Sequence, residues 1–210
     1  TTAPQETLNS GQRYQTIDGW QTMLRLWEHD KVNNRFASST QQYTTAASDF
    51  LVDSVGINSV RLEVLSGYES PRDDWTPFTT GAMNYTTWAP GRYEKINDNS
   101  DPNVANPAGF QFAPFDYQVE KFLLPMKARL AARGEVLHIN VNYVDFNWSG
   151  TRQGTLSHAT NSAEFAELVL VYFQRLRDKY GITPDAFEVI LEPENTQSWT
   201  GANIGRGLVA

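Results

Sequence analysis

The sequence predicts an α/β fold built on a parallel sheet, and three observations lead to it. Short runs rich in Ile, Val, Leu and aromatic residues recur at Gln15 to Leu24, Ser59 to Leu65, Val136 to Val141 and Phe187 to Leu191, a composition suited to strands. Between them lie stretches whose apolar residues repeat at helical spacing. Strand and helix therefore alternate, which implies right-handed crossovers and strands that run parallel. A closed barrel and an open doubly wound sheet both satisfy this pattern.

Taken in order, the first strand leads to a helix over Thr40 to Val55, and Gly56 follows it as a C-terminal cap does. After the second strand, Ser66 to Ala113 reads as one long loop insertion, rich in Gly, Pro, Asn and Asp beside Tyr68, Trp75, Phe78, Tyr85, Trp88 and Tyr93. A loop of that length follows a strand, so it belongs to the carboxyl end of the sheet, where ligands bind in both candidate folds. Its aromatic rings suit either stacking on a ligand or anchoring of the loop itself. A second helix spans Pro114 to Arg133 before Gly134. The third strand, Val136 to Val141, reads as continuously apolar, with His138 as a satisfied core histidine. A third helix covers Ala163 to Tyr180, where Phe165, Leu168, Val169, Tyr172, Phe173 and Leu176 share a face before Gly181. Ile204 to Ala210 reads as the opening of another helix.

Composition narrows the function. The 210 residues are 40% hydrophobic and carry a formal charge of −7, so the clustered Lys and Arg that nucleic acid needs are missing and a neutral or weakly charged ligand fits better. There is no cysteine and there are only three histidines, His29, His138 and His158, which leaves no thiolate metal site and few imidazole ligands. Neither a metal nor a cofactor is expected. No stretch reaches the roughly 18 to 20 apolar residues of a membrane span, and Thr1 to Thr7 is too polar for a signal peptide. The abundance of Thr, Asn, Ser, Tyr and Trp with no Cys suggests a secreted protein, and the sequons at Asn84 and Asn147 would permit glycosylation there.

The most informative segment is Phe187-Glu188-Val189-Ile190-Leu191-Glu192-Pro193-Glu194-Asn195. An apolar strand ends in two carboxylates around a proline, where a side chain points into the mouth of a parallel barrel. Alternation puts Glu188, Ile190 and Glu192 on one face, but spacing does not decide between Glu192 and Glu194. Trp148 and Trp199, on the loops after the third and fourth strands, are the leading candidates to stack on a ligand ring.

This strand, its terminal Glu-Pro and the helix before it resemble the fourth strand of clan A glycoside hydrolases, and of the glucosylceramidase-like glycoside hydrolase family 30 in particular. Gln15-Thr16-Ile17-Asp18-Gly19-Trp20 is similar to that family's first strand, and Gly56-Ile57-Asn58-Ser59-Val60-Arg61-Leu62 to its second. The resemblance implies a (β/α)8 TIM barrel whose first four units lie within residues 1–210, as the N-terminal half of a single catalytic domain. It implies Glu192 as general acid/base, Arg61 as a charge supporting the carboxylates, and Trp20 lining the barrel floor. The family places asparagine directly before this glutamate to hold the sugar 2-hydroxyl. Here that position is Leu191, so the amide would have to come from Asn140 or Asn142.

The implied activity is retaining hydrolysis of a β-linked oligo- or polysaccharide. Such an acid needs a pKa raised by apolar surroundings and nearby negative charge, and a nucleophile roughly 5 to 5.5 Å away. In the clan that nucleophile lies on the seventh strand, so it is expected beyond Ala210 or on a second polypeptide completing the barrel. A non-catalytic carbohydrate-binding barrel is the alternative. Asn97 to Asn103 lacks the spaced acids of a calcium loop and reads as a solvated turn. Gly201 to Gly207 matches neither dinucleotide nor Walker loop, and no G-x-S-x-G elbow occurs.

Overall fold

The computed structural model describes residues 11–12, 16–26, 28–146, 154–193, 199–200 and 205. Trp148, Glu194, the sequon at Asn147 and all but Gly205 of the expected helix over 204–210 lie outside these residues. In chain order the elements are β1 (Trp20–Met23), β2 (His29–Asp30), β3 (Arg35–Phe36), α1 (Thr44–Asp53), β4 (Ile57–Leu65), α2 (Trp75–Thr79), α3 (Tyr85–Gly91), α4 (Phe112–Gln118), α5 (Leu124–Ala131), β5 (His138–Val144), α6 (Ser162–Tyr180) and β6 (Ala186–Glu188). Strands β1, β4, β5 and β6 form one sheet in that order with every neighbouring pair parallel, while β2 and β3 make a separate antiparallel ribbon. The α/β class with a parallel sheet is therefore as expected. No helix among the described residues is long and apolar enough to cross a membrane.

The sheet has two chemically distinct faces because its strands alternate. Val60, Leu62 and Val64 of β4 and Ile139, Val141 and Tyr143 of β5 are buried in one cluster with Val52 of α1, Met126 and Leu130 of α5, and Leu168 and Leu176 of α6. Tyr143 meets Phe165 edge-on at 5.0 Å, and Phe187 of β6 meets Phe173 at 5.5 Å, so this is the helix-covered face. Each such side chain contributes about 1.5–3 kcal/mol when fully buried. The third strand is thus not continuously apolar: Asn140 and Asn142 alternate with its apolar residues and face the other way. His138, expected in the core, is exposed at the amino end of β5.

Both outer strands are shorter than expected, for identifiable reasons. At the start, the Asn58 side chain enters the ladder, accepting from Trp20 N–H at 3.1 Å and donating to the Asp18 carbonyl at 3.0 Å, and the register shifts between Trp20 and Gln21. A Cβ on Gly19 would lie 1.9 Å from Asn58 Oδ1, so a side chain there would push the Asn58 amide out of the ladder. At the far end, β6 stops at Glu188, beyond which the Leu191 N–H donates to the Tyr143 carbonyl of β5 2.9 Å away. Pro193 has no N–H to continue.

The long insertion over 66–113 is folded rather than loop throughout. The Asn84 side chain caps α3, its Oδ1 accepting from Thr87 N–H at 2.9 Å. Phe78 stacks on Trp88 at 4.1 Å, and Trp75 packs against both and against Phe36 and Tyr117. Tyr68, Trp75, Phe78, Trp88 and Tyr93 are all buried, so of the two roles open to these rings they take the anchoring one. The helix expected over 114–133 forms, but as α4 and α5 joined by a π turn at Val119–Leu123. Pro125, in the first turn of α5, cannot donate to a carbonyl one turn earlier, and the wider turn absorbs the gap.

Asp116 ties α4 to α6, accepting from Arg175 Nε at 3.1 Å and Lys179 Nζ at 2.8 Å. Burial alone would raise its pKa, but the bonds from Arg175 and Lys179 outweigh this and hold the carboxyl below the ordinary range. A depressed folded pKa means stabilisation that is present above the unfolded value near 3.9 and fades as pH falls through the folded one. Asp116→Asn is therefore expected to lose roughly 1–3 kcal/mol at pH 7. Urea midpoints of the two proteins should converge below about pH 3.9, and a gap persisting undiminished there would contradict the assignment.

Candidate functional site

On the face turned away from the helices, strand register assembles a polar row. Arg61 of β4 sits beside Asn140 of β5, and Glu63 sits beside Asn142, which in turn sits beside Glu188 of β6. These positions lie toward the carboxyl ends of parallel strands, where ligand sites of α/β sheets form.

Glu63 is 2% exposed and ion-paired to Arg25 at 3.2 Å, with Arg61 at 4.0 Å. Arg25 also clasps Glu28 at 3.0 Å, and Arg92 approaches Glu28 at 3.9 Å. Burial raises the Glu63 pKa against the pull of Arg25 and Arg61. Burial opposes the charge on Arg25 as well, yet Glu28 and Glu63 outweigh it and hold its pKa well above the usual value. Where β1 no longer reaches, Gln118 serves the Glu63 backbone, accepting from its N–H at 3.2 Å and donating to its carbonyl at 3.1 Å. The carboxylate is therefore fixed from its own backbone outward.

Asn142 is fully buried, yet neither atom of its amide has a hydrogen-bond partner among the described residues. The same holds for Asn140 Oδ1 and Arg61 Nε. Buried polar atoms are ordinarily bonded, because leaving one unpaired costs about 1–3 kcal/mol. Amide and guanidinium groups with spare capacity, set among carboxylates, suit a ligand bearing many hydroxyl groups.

The structure brings Arg61 and Asn142 together, as two of the residues singled out from the sequence. Glu192 lies beyond the end of β6, exposed and with a φ of 47°, a left-handed conformation unusual for a residue before proline. It does not continue the alternation of Glu188 and Ile190, and no apolar enclosure closes over it among the described residues. Trp20 is 59% exposed at the amino end of the sheet, in register with Ile57. That is six residues before Glu63, or about 20 Å along a strand, so Trp20 stands apart from the row. Trp199 is 6% exposed and meets Phe165 at 5.4 Å and Tyr143 at 5.7 Å, its Nε1 donating to Asp145 at 3.3 Å. It packs the core instead of presenting a face for stacking.

Sequence reading missed Glu63, Arg25 and Glu188 as members of one row. The signal was present in the alternation Val60-Arg61-Leu62-Glu63-Val64, polar at every second place. It also missed His158, which is fully buried, with Nε2 on Glu69 at 2.9 Å and Nδ1 on the Tyr143 hydroxyl at 2.8 Å. Set against family models, curated proteins and solved structures, the chain matches none.

Proposed function

We propose that the parallel sheet is the first half of a (β/α)8 barrel and that its polar face forms part of the substrate cleft of a secreted retaining glycoside hydrolase acting on a β-linked glycan. The observation that carries this reading is the buried, unbonded Asn142 amide held between Glu63 and Glu188. It could serve the sugar hydroxyl that the asparagine missing at Leu191 would otherwise hold. Arg61 and Glu63 keep the row charged and aligned. Glu192, at the rim, donates its proton to the departing glycosidic oxygen as the bond breaks, then takes one from the water that releases the sugar. The attacking carboxylate is supplied from outside residues 1–210, and no cofactor takes part.

The exposure of Glu192 favours a second reading, a barrel that binds carbohydrate without cleaving it. Incubating the full-length gene product with a panel of soluble β-glucans, xylans and mannans separates the two. Release of reducing ends supports the hydrolase, whereas retention of one of these glycans on an affinity gel without release supports the binding protein.

A further inference from the structure

Away from the polar row, at the amino end of α6, three carboxylates from distant parts of the chain converge. Glu69 follows β4, Asp98 lies in the insertion and Glu164 sits in the first turn of α6. One oxygen of each lies within 4.8 Å of one oxygen of the other two. Glu69 is 0% and Glu164 4% exposed, so this is not a solvated acidic patch.

Each carboxylate is held by one oxygen only. Glu69 Oε2 contacts His158 Nε2 at 2.9 Å, Glu164 Oε1 accepts from Asn97 Nδ2 at 3.1 Å, and Asp98 Oδ2 accepts from Asn99 Nδ2 at 2.9 Å and from the Asn106 N–H. The other oxygens, Glu69 Oε1, Glu164 Oε2 and Asp98 Oδ1, have no hydrogen-bond partner among the described residues. Glu167, 4% exposed, adds a carboxyl neither of whose oxygens has a hydrogen-bond partner among the described residues. The one lysine of the insertion, Lys95, is turned to Asp145 at 2.7 Å.

Converging buried carboxylates cannot remain ionised without a counter-charge. Outer groups that hold one oxygen of each ligand and leave the other for an ion are the arrangement found around a metal. We infer that Glu69, Asp98 and Glu164, with Glu167 alongside, bind a divalent cation of the calcium type that fastens the insertion to the root of α6. The donors are oxygen alone, which suits a hard cation, and calcium–oxygen distances of about 2.3–2.6 Å allow two ligands on opposite sides of one ion to stand close to the observed spacing. Magnesium, which needs near-ideal octahedral geometry and retains its waters, fits a crowded buried carboxylate set less well.

The test uses the full-length protein, stripped with EDTA and dialysed. Adding CaCl2 should raise its melting temperature by several degrees, chelation should reverse this, and MgCl2 at the same concentration should do much less. Asp98→Asn should weaken calcium binding, measured by isothermal titration calorimetry, by at least about tenfold. If millimolar calcium changes neither melting temperature nor heat in the unaltered protein, the carboxylates are neutralised by shared protons and the inference fails. It fails equally if Asp98→Asn folds and binds calcium unchanged. Neither outcome depends on glycan hydrolysis, so this site and the proposed catalytic one stand or fall separately.

Discussion

Replacing Glu192 by Gln in the full-length protein is expected to lower kcat on a β-linked glycan by about 10²–10⁴-fold. The amide keeps the size of the carboxyl but cannot deliver a proton to the departing oxygen. Because Glu192 is exposed and beyond the end of β6, the melting temperature should hardly change. The loss should fall on kcat more than on KM, since the proton moves only in the transition state. An aryl glycoside whose leaving group needs no protonation should recover much of the first chemical step. Unchanged activity on the natural linkage would remove Glu192 from the chemistry and turn attention to Glu188 and Glu63.

The second large effect concerns stability. Lys95 in the insertion pairs with Asp145, just past β5, at 2.7 Å, with side chains 6% and 2% exposed. Trp199 donates to the other oxygen of Asp145 at 3.3 Å, and the Lys95 backbone carbonyl accepts from Thr155 N–H at 2.8 Å. Asp145→Ala strands a buried ammonium and an indole N–H together, and breaking such a pair costs about 3–5 kcal/mol. Urea denaturation should show that loss. The double change Lys95→Met with Asp145→Leu should cost clearly less than the two single changes added together, since an apolar pair leaves no buried charge behind. Additive losses would mean that Lys95 and Asp145 contribute independently.

Much of the frame was legible because its signals are local. The second strand, the helix over Ala163 to Tyr180 and its Gly181 stop were placed within a residue or two, as periodicity and a left-handed glycine at φ 65° belong to the segment itself. Helices α2 and α3 escaped notice because they are only 5 and 7 residues long, each carries a proline, and the segment around them is rich in Gly, Pro, Asn and Asp, although Asn84 is a capping residue by type. Asn140 and Asn142 were picked out as candidate amides, but reading β5 as continuously apolar left unused the alternation that sets them on one face. His138, read as a core residue, is exposed, and the buried His158 had no role assigned, because a histidine's surroundings come from elsewhere in the chain: the Glu69 that holds His158 is 89 positions away. For the same reason Asp98 read as part of a solvated turn, since Glu69 and Glu164 meet it only after the insertion folds onto α6.

Proton NMR of the first anomer released by the full-length protein from a soluble β-glycan tests the central claim most directly. A retaining mechanism, with Glu192 as acid/base and a second carboxylate roughly 5 to 5.5 Å away as nucleophile, releases the β-anomer first, and the α-anomer grows in only by mutarotation. The α-anomer appearing first, or no release at all from glycans that the protein binds, would contradict it.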